Sequence, residues 1–151
     1  MNQITTQYVT ENGACYEQYV ITDPAAKTSL TITPERGGMI TGFTLDGDEY
    51  IWTRRPNFSE CNRPRFGVPV LFPSCGNPDG GVHLFDGKAY PMECHGFADL
   101  CAWEVESVGP DGVTLILEST PLTKFLYPFD FTLLVNYNLD GTTASISMTV
   151  I

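Results

Sequence analysis

Apolar and polar positions along this chain recur with a period of two rather than 3.6. The clearest stretch lies near the end, where Ala144, Ile146, Met148 and Val150 fall on one face of an extended segment. Thr143, Ser145, Ser147 and Thr149 fall on the other face. Elsewhere Thr, Val, Ile, Leu, Phe and Tyr fill short runs, and no window of about eleven residues carries a clean helical period with caps. The dipeptide Asp-Gly punctuates these runs at Asp46-Gly47, Asp79-Gly80, Asp86-Gly87, Asp111-Gly112 and Asp140-Gly141. A tight hairpin turn needs positive φ at both central residues, which Asp and Gly tolerate. All but Asp79-Gly80 lie between runs that read as strands: 42–45 and 49–52, 83–85 and 88–90, 103–108 and 113–117, 129–139 and 142–150. Eight to ten short strands joined by tight turns predict an all-β fold, an antiparallel β-sandwich or barrel, with residues 1–151 forming a single domain.

Two features depart from that regularity. Residues 54–79 read as a loop, with Pro56, Pro64, Pro69, Pro73 and Pro78 around one apolar run, Val68-Pro69-Val70-Leu71-Phe72. Proline is excluded from central strands, so this run is an edge strand or a fixed loop, and long irregular loops tend to carry function. The chain also stops at Thr149-Val150-Ile151, inside an alternating strand whose open edge invites association. Either a partner supplies the next strand or this polypeptide is the first part of something longer, and the second is the favoured expectation.

Composition narrows the class. At 151 residues with 42% hydrophobic and 17% charged residues, the chain is neither disordered nor a coiled coil. Eight basic against 18 acidic side chains, a formal charge of −10, argue against binding nucleic-acid phosphates. No apolar run approaches the roughly 18 residues that span a bilayer, and no signal peptide is visible. The expectation is a soluble, cytoplasmic protein with no membrane partner. The cysteines, Cys15, Cys61, Cys75, Cys94 and Cys101, are odd in number and form no Cys-x-x-Cys pair. They read as reduced thiols buried as small hydrophobes rather than as a disulfide framework or a zinc site.

Candidate chemistry is sparse. Of the two histidines, His83 sits beside a hairpin turn and reads as a surface residue. His95, in Glu93-Cys94-His95-Gly96-Phe97-Ala98-Asp99, follows a short apolar run and precedes a glycine, so its ring could stand at a strand end with room for a ligand. From spacing alone a structural histidine is the commoner case. Cys94 beside His95 invites a nucleophile–base pair, but adjacent side chains of an extended segment point to opposite faces. Glu93 would share the His95 face and reads as an orienting partner or a surface charge. Arg54, Arg55, Arg63 and Arg65 gather four of the eight cations within the proline-rich segment. Surface charge paired with carboxylates such as Glu60 and an anion or polyol site are both open readings, since guanidinium offers forked donors to phosphate or paired hydroxyls.

The words Arg65-Phe66-Gly67-Val68-Pro69-Val70-Leu71-Phe72-Pro73, then Cys75-Gly76-Asn77, Tyr90-Pro91 and His95-Gly96-Phe97-Ala98, resemble the aldose 1-epimerase (galactose mutarotase-like) family. The branch of LacX-like proteins and hexose-6-phosphate mutarotases is the most similar. Trp103-Glu104-Val105 and Tyr127-Pro128-Phe129-Asp130-Phe131 keep the family's order, and the resemblance runs from about Leu30 onward. It implies part of a large β-supersandwich that binds aldoses and interconverts their α and β anomers by acid–base ring opening. It implies His95 as the active-site histidine, with Arg65, Arg63 and Asn77 contacting the sugar or a sugar phosphate, and no metal or organic cofactor. Members of the family are about twice this length and carry a second histidine and the base carboxylate in the later half. The chain is therefore expected to be the N-terminal part of a larger epimerase domain. Asp99 stands where the family often has Arg, and its charge there would repel a phosphate. Two other readings stay open: a non-catalytic carbohydrate-binding or regulatory module of the same fold, and a symmetric homodimer that pairs terminal strands.

Overall fold

A computed structural model describes residues 1–53, 58, 63, 65–110 and 112–151. Its strands are β1 (Gln3–Glu11), β2 (Ala14–Asp23), β3 (Thr28–Thr33), β4 (Met39–Leu45), β5 (Asp48–Glu49), β6 (Val82–Phe85) and β7 (Lys88–Pro91). They continue with β8 (Glu104–Val108), β9 (Gly112–Glu118), β10 (Thr132–Asp140) and β11 (Thr143–Val150). Helix among the described residues is limited to single 3-10 turns, such as Ala98–Leu100. The fold is an all-β antiparallel sandwich, as the alternation predicts. Strands β1 to β5 form one sheet in chain order, β11-β10-β9-β8 form a second, and β6 and β7 form a separate hairpin.

Turn chemistry fixes the registers. Asp46-Gly47 and Asp86-Gly87 are two-residue hairpin turns with positive φ at both positions. Asn12-Gly13 does the same between β1 and β2, a signal of equal strength that the Asp-Gly pattern passes over. At the last hairpin Asp140 still pairs with Thr143, so the turn is Gly141-Thr142. Glycine there occupies the first central position, one residue later than the Asp-Gly pattern predicts. Asp111 lies outside the described residues, as do Arg54, Arg55, Glu60 and Cys61.

The core lies between the two large sheets. Ile21, Leu30 and Ile32 from the first meet Val113, Leu115, Leu133, Val135, Tyr137 and Leu139 from the second, all at most 1% exposed. Alternating positions of β10 point into this core. β11 pairs with β10 in register, which puts Ile146 opposite Tyr137 and Met148 opposite Val135 on the same face, yet every residue of β11 is exposed. The run 68–72 is a fixed loop, not a strand: Val68 bridges Ile40 and Phe72 bridges Gly96. The strand expected over 49–52 ends at Glu49, because the Glu49 carboxylate accepts the Phe43 and Ile51 amides at 2.8 and 2.7 Å and turns the chain out of the sheet. The expectation of buried thiols is corrected as well. Cys15 and Cys75 are exposed, and Cys94 and Cys101 are half-buried.

Candidate active site

His95 sits in a turn built from backbone bonds. Its amide donates to the Gly76 carbonyl at 3.1 Å, and the Gly96 amide donates to Glu93 at 3.1 Å. The Phe97 and Ala98 amides both donate to the Phe72 carbonyl, at 2.9 and 3.2 Å. His95 and Gly96 take φ of +70° and +76°. That region suits glycine, and a Cβ on Gly96 would lie 2.1 Å from the Phe72 carbonyl oxygen. A positive φ on histidine is uncommon and marks a position that its surroundings over-determine. The segment is therefore not extended, and the premise that sent Cys94 and His95 to opposite faces fails. Both side chains line the same cavity.

That cavity has a volume of about 570 Å³ and is lined in part by Arg63 and by residues of 65–71. Among the described residues its charged and imidazole lining is Arg63, Arg65, His95 and Asp99, and its apolar lining includes Tyr50, Trp52 and Leu71. A small-molecule site has this size and this mixture of flat apolar faces with a few polar groups. Tyr50 and Trp52 are 61% and 66% exposed, which leaves their rings available at the rim. Both fall in the run read from sequence as a strand, so pattern alone gave no sign of this role. The loop above is pinned by the Gly67 amide on Trp52 and by paired amides and carbonyls of Ile40 and Val68.

Three of the four residues implied by the resemblance, His95, Arg63 and Arg65, come together here. Asn77 is exposed on the neighbouring loop and is not part of the lining. His95 Nδ1 is buried without a protein hydrogen-bond partner. A buried polar atom left so is unusual and suits a group that meets a ligand or water. Glu93 is a surface charge, 3.6 Å from Arg63 and 82% exposed at its side chain. His83 is half-buried, with its ring edge-on to Phe85 at 5.8 Å.

Asp99 is not the free repelling charge that sequence suggests. It is 1% exposed, and both its oxygens lie 2.8 Å from Arg63 Nη1. Arg63 Nη2 donates to the Gly96 carbonyl at 2.7 Å. Burial pushes the Asp99 carboxyl up, and the Arg63 guanidinium pulls against that shift. Burial also raises the Cys101 thiol, whose Sγ lies 3.4 Å from the Phe97 carbonyl.

The geometry can be set beside known proteins. A family model described as aldose 1-epimerase matches residues 17–151. The Slr1438 protein of Synechocystis is 28% identical with a TM-score of 0.85, over 99% of this chain and 52% of that one. A galactose mutarotase-like protein of Lactobacillus casei is 25% identical with a TM-score of 0.70, over 97% of this chain and 44% of its own. At 18% identity a galactose mutarotase-like protein of Clostridium acetobutylicum shares the fold, with a TM-score of 0.79 over 97% of this chain and 48% of that one. Among curated protein sequences none matches significantly. The chain spans about half the length of the solved relatives it matches. No helix of the described residues is long and apolar enough to cross a membrane. Matched by that model over most of its length, the chain belongs to the aldose 1-epimerase family, a family of sugar isomerases.

Proposed function

We propose that the cavity lined by His95, Arg63 and Arg65 binds an aldose, and that the chain supplies the His95 half of a site that interconverts α and β anomers. The observation that carries this reading is the meeting of His95, Arg63 and Arg65 at one cavity of about 570 Å³ with an exposed aromatic rim. In the reaction a base takes the proton of the C1 hydroxyl while an acid protonates the ring oxygen. The ring opens, C1 rotates, and closure from the other face inverts the anomer. His95 is the group here whose imidazole can accept or donate a proton at the sugar. Arg65 presents donors to the hydroxyls. Tyr50 and Trp52 cover an apolar face of the sugar. Asn77, next to the Gly76 that holds His95, is assigned to the outer edge of the site.

One observation favours a second reading, sugar binding without catalysis. Asp99 is the sole carboxylate among the described lining residues, and Arg63 occupies it. Among the described lining residues His95 thus has no free carboxylate to complete an acid–base pair. Relatives about twice as long have room to provide that group from their remaining half.

NMR separates these readings. Glucose and galactose are titrated into the protein, and α–β exchange is followed by magnetisation transfer. Saturable binding that weakens at least about tenfold in His95→Ala, together with faster exchange than buffer, supports the enzymatic reading. Binding without acceleration moves the second reading ahead. If neither sugar binds, both are wrong.

A further inference from the structure

Among the described residues the cavity is lined by two arginines and one carboxylate, and the carboxylate is the better anchored partner. Asp99 belongs to a 3-10 turn that is held by contacts other than its own carboxylate. The Trp103 indole donates to the Ala98 carbonyl at 3.0 Å, and the Gly37 amide donates to the Cys101 carbonyl at 3.1 Å. Gly37 approaches so closely that a Cβ on it would stand 2.3 Å from the Asp99 carbonyl oxygen. The carboxylate is thus set by the fold, and a charge 1% exposed is tolerable only when paired. Arg63, its side chain 18% exposed, reaches that carboxylate and the Gly96 carbonyl. Arg65, two residues on, is exposed and makes no ion pair among the described residues.

We infer that Asp99 is a positioning residue that holds Arg63 against the His95–Gly96 turn and cancels its charge, leaving Arg65 as the one uncompensated cation the described lining offers a ligand. Arg63 then orients the His95 turn through the Gly96 carbonyl and is not free to grip a second anion. This rests on the cavity being the ligand site proposed above. Its test needs neither a sugar nor anomer exchange, so the two ideas fail separately.

The probe is inorganic phosphate, titrated into the full chain and followed by NMR of the arginine side chains. Asp99→Asn keeps the shape and removes the charge, so Arg63 becomes available. Phosphate affinity at the cavity should rise about fivefold, the factor one unit charge about 4 Å away gives in a water-like dielectric. Arg63→Gln added to Asp99→Asn should return the affinity to the wild-type level, which places the gain at Arg63. A loosened or damaged site produces no such gain followed by its loss. A second readout uses the wild type alone, whatever the stability of the variant. The Arg63 guanidinium protons should exchange slowly at neutral pH, and those of Arg65 should exchange at the rate of free arginine. Equal phosphate affinity in wild type and Asp99→Asn overturns the inference, and so does fast exchange at Arg63.

Discussion

The two walls of the cavity are built by different physics. The His95 wall, residues 95–99, is fixed by backbone bonds to Phe72, Gly76 and Glu93 and by glycines at points of closest approach. Phe72 and Phe97 behind it stack edge-on at 6.0 Å inside the main core. The arginine wall borrows its order. Gly67 and Val68 are tied down by backbone bonds, but among the described residues Arg63 is held through its side chain and Arg65 stands exposed. A wall made by backbone fit is lost together with the fold, whereas a wall made by side-chain contacts can be altered while the fold survives. Changes on the first should register in stability, and changes on the second in binding.

The largest effect should come from Gly96→Ala. The new methyl would overlap the Phe72 carbonyl at 2.1 Å, and a φ of +76° strains any residue with a Cβ. Backbone occupies the contested space, so no rotamer change relieves it. The expected loss is at or beyond the roughly 4–5 kcal/mol that marks an exceptional single substitution. Urea denaturation measures it, and the displaced His95 ring signal reports the same event locally. A loss under about 1 kcal/mol would show that the His95 wall yields and that the contrast between the walls is false.

How far the sequence reveals each wall follows from the same contrast. The sandwich was legible because alternation and turn residues are local signals: the paired positive φ of Asp46-Gly47 and Asp86-Gly87 appears where the dipeptides predict it. His95, Arg63 and Arg65 were reached through a resemblance of motifs, since spacing alone favours a structural histidine. What stayed hidden depends on contacts distant in sequence. Tyr50 and Trp52 looked like strand residues until Glu49 turned the chain outward. Asp99 looked like a free charge, because nothing nearby in sequence announces a partner 36 positions upstream. β10 and β11 share one alternating pattern, yet one is buried and the other exposed, since alternation names a face without naming what covers it.

Arg63→Gln comes next in size, and it crosses between the walls. Removing the guanidinium leaves Asp99 buried without its partner, which should cost about 2–3 kcal/mol near neutral pH, discounted for the part of Arg63 that solvent reaches. The sign with pH follows from the direction of the carboxyl shift. Burial already raises the folded-state value above 3.8, and losing Arg63 raises it further. A carboxyl raised in the folded state takes up its proton there first, so stability falls as pH climbs through that window. The penalty relative to wild type should therefore shrink as pH drops toward about 4. Denaturation midpoints across pH 4 to 8 (roughly the range that brackets the ordinary and raised values) provide the check, and a penalty independent of pH would mean that Asp99 does not depend on Arg63.

The smallest stability effects belong to the exposed members, Arg65 and Trp52, and they sharpen the contrast most. Arg65 makes no ion pair among the described residues, and Trp52 is 66% exposed. Arg65→Gln and Trp52→Ala should each leave unfolding within about 0.5 kcal/mol of wild type. Arg65 is nevertheless positioned to donate charge-assisted hydrogen bonds to a ligand, worth about 1.5–3 kcal/mol each. Glucose affinity should therefore fall about tenfold or more in Arg65→Gln. The Trp52 ring offers mainly apolar area and carries no charge, so its loss should weaken binding by a smaller factor. Isothermal titration beside denaturation reads both quantities on the same samples. If Arg65→Gln costs stability and spares affinity, Arg65 is a prop for the loop, and the ligand-facing side of the arginine wall would have to be sought elsewhere.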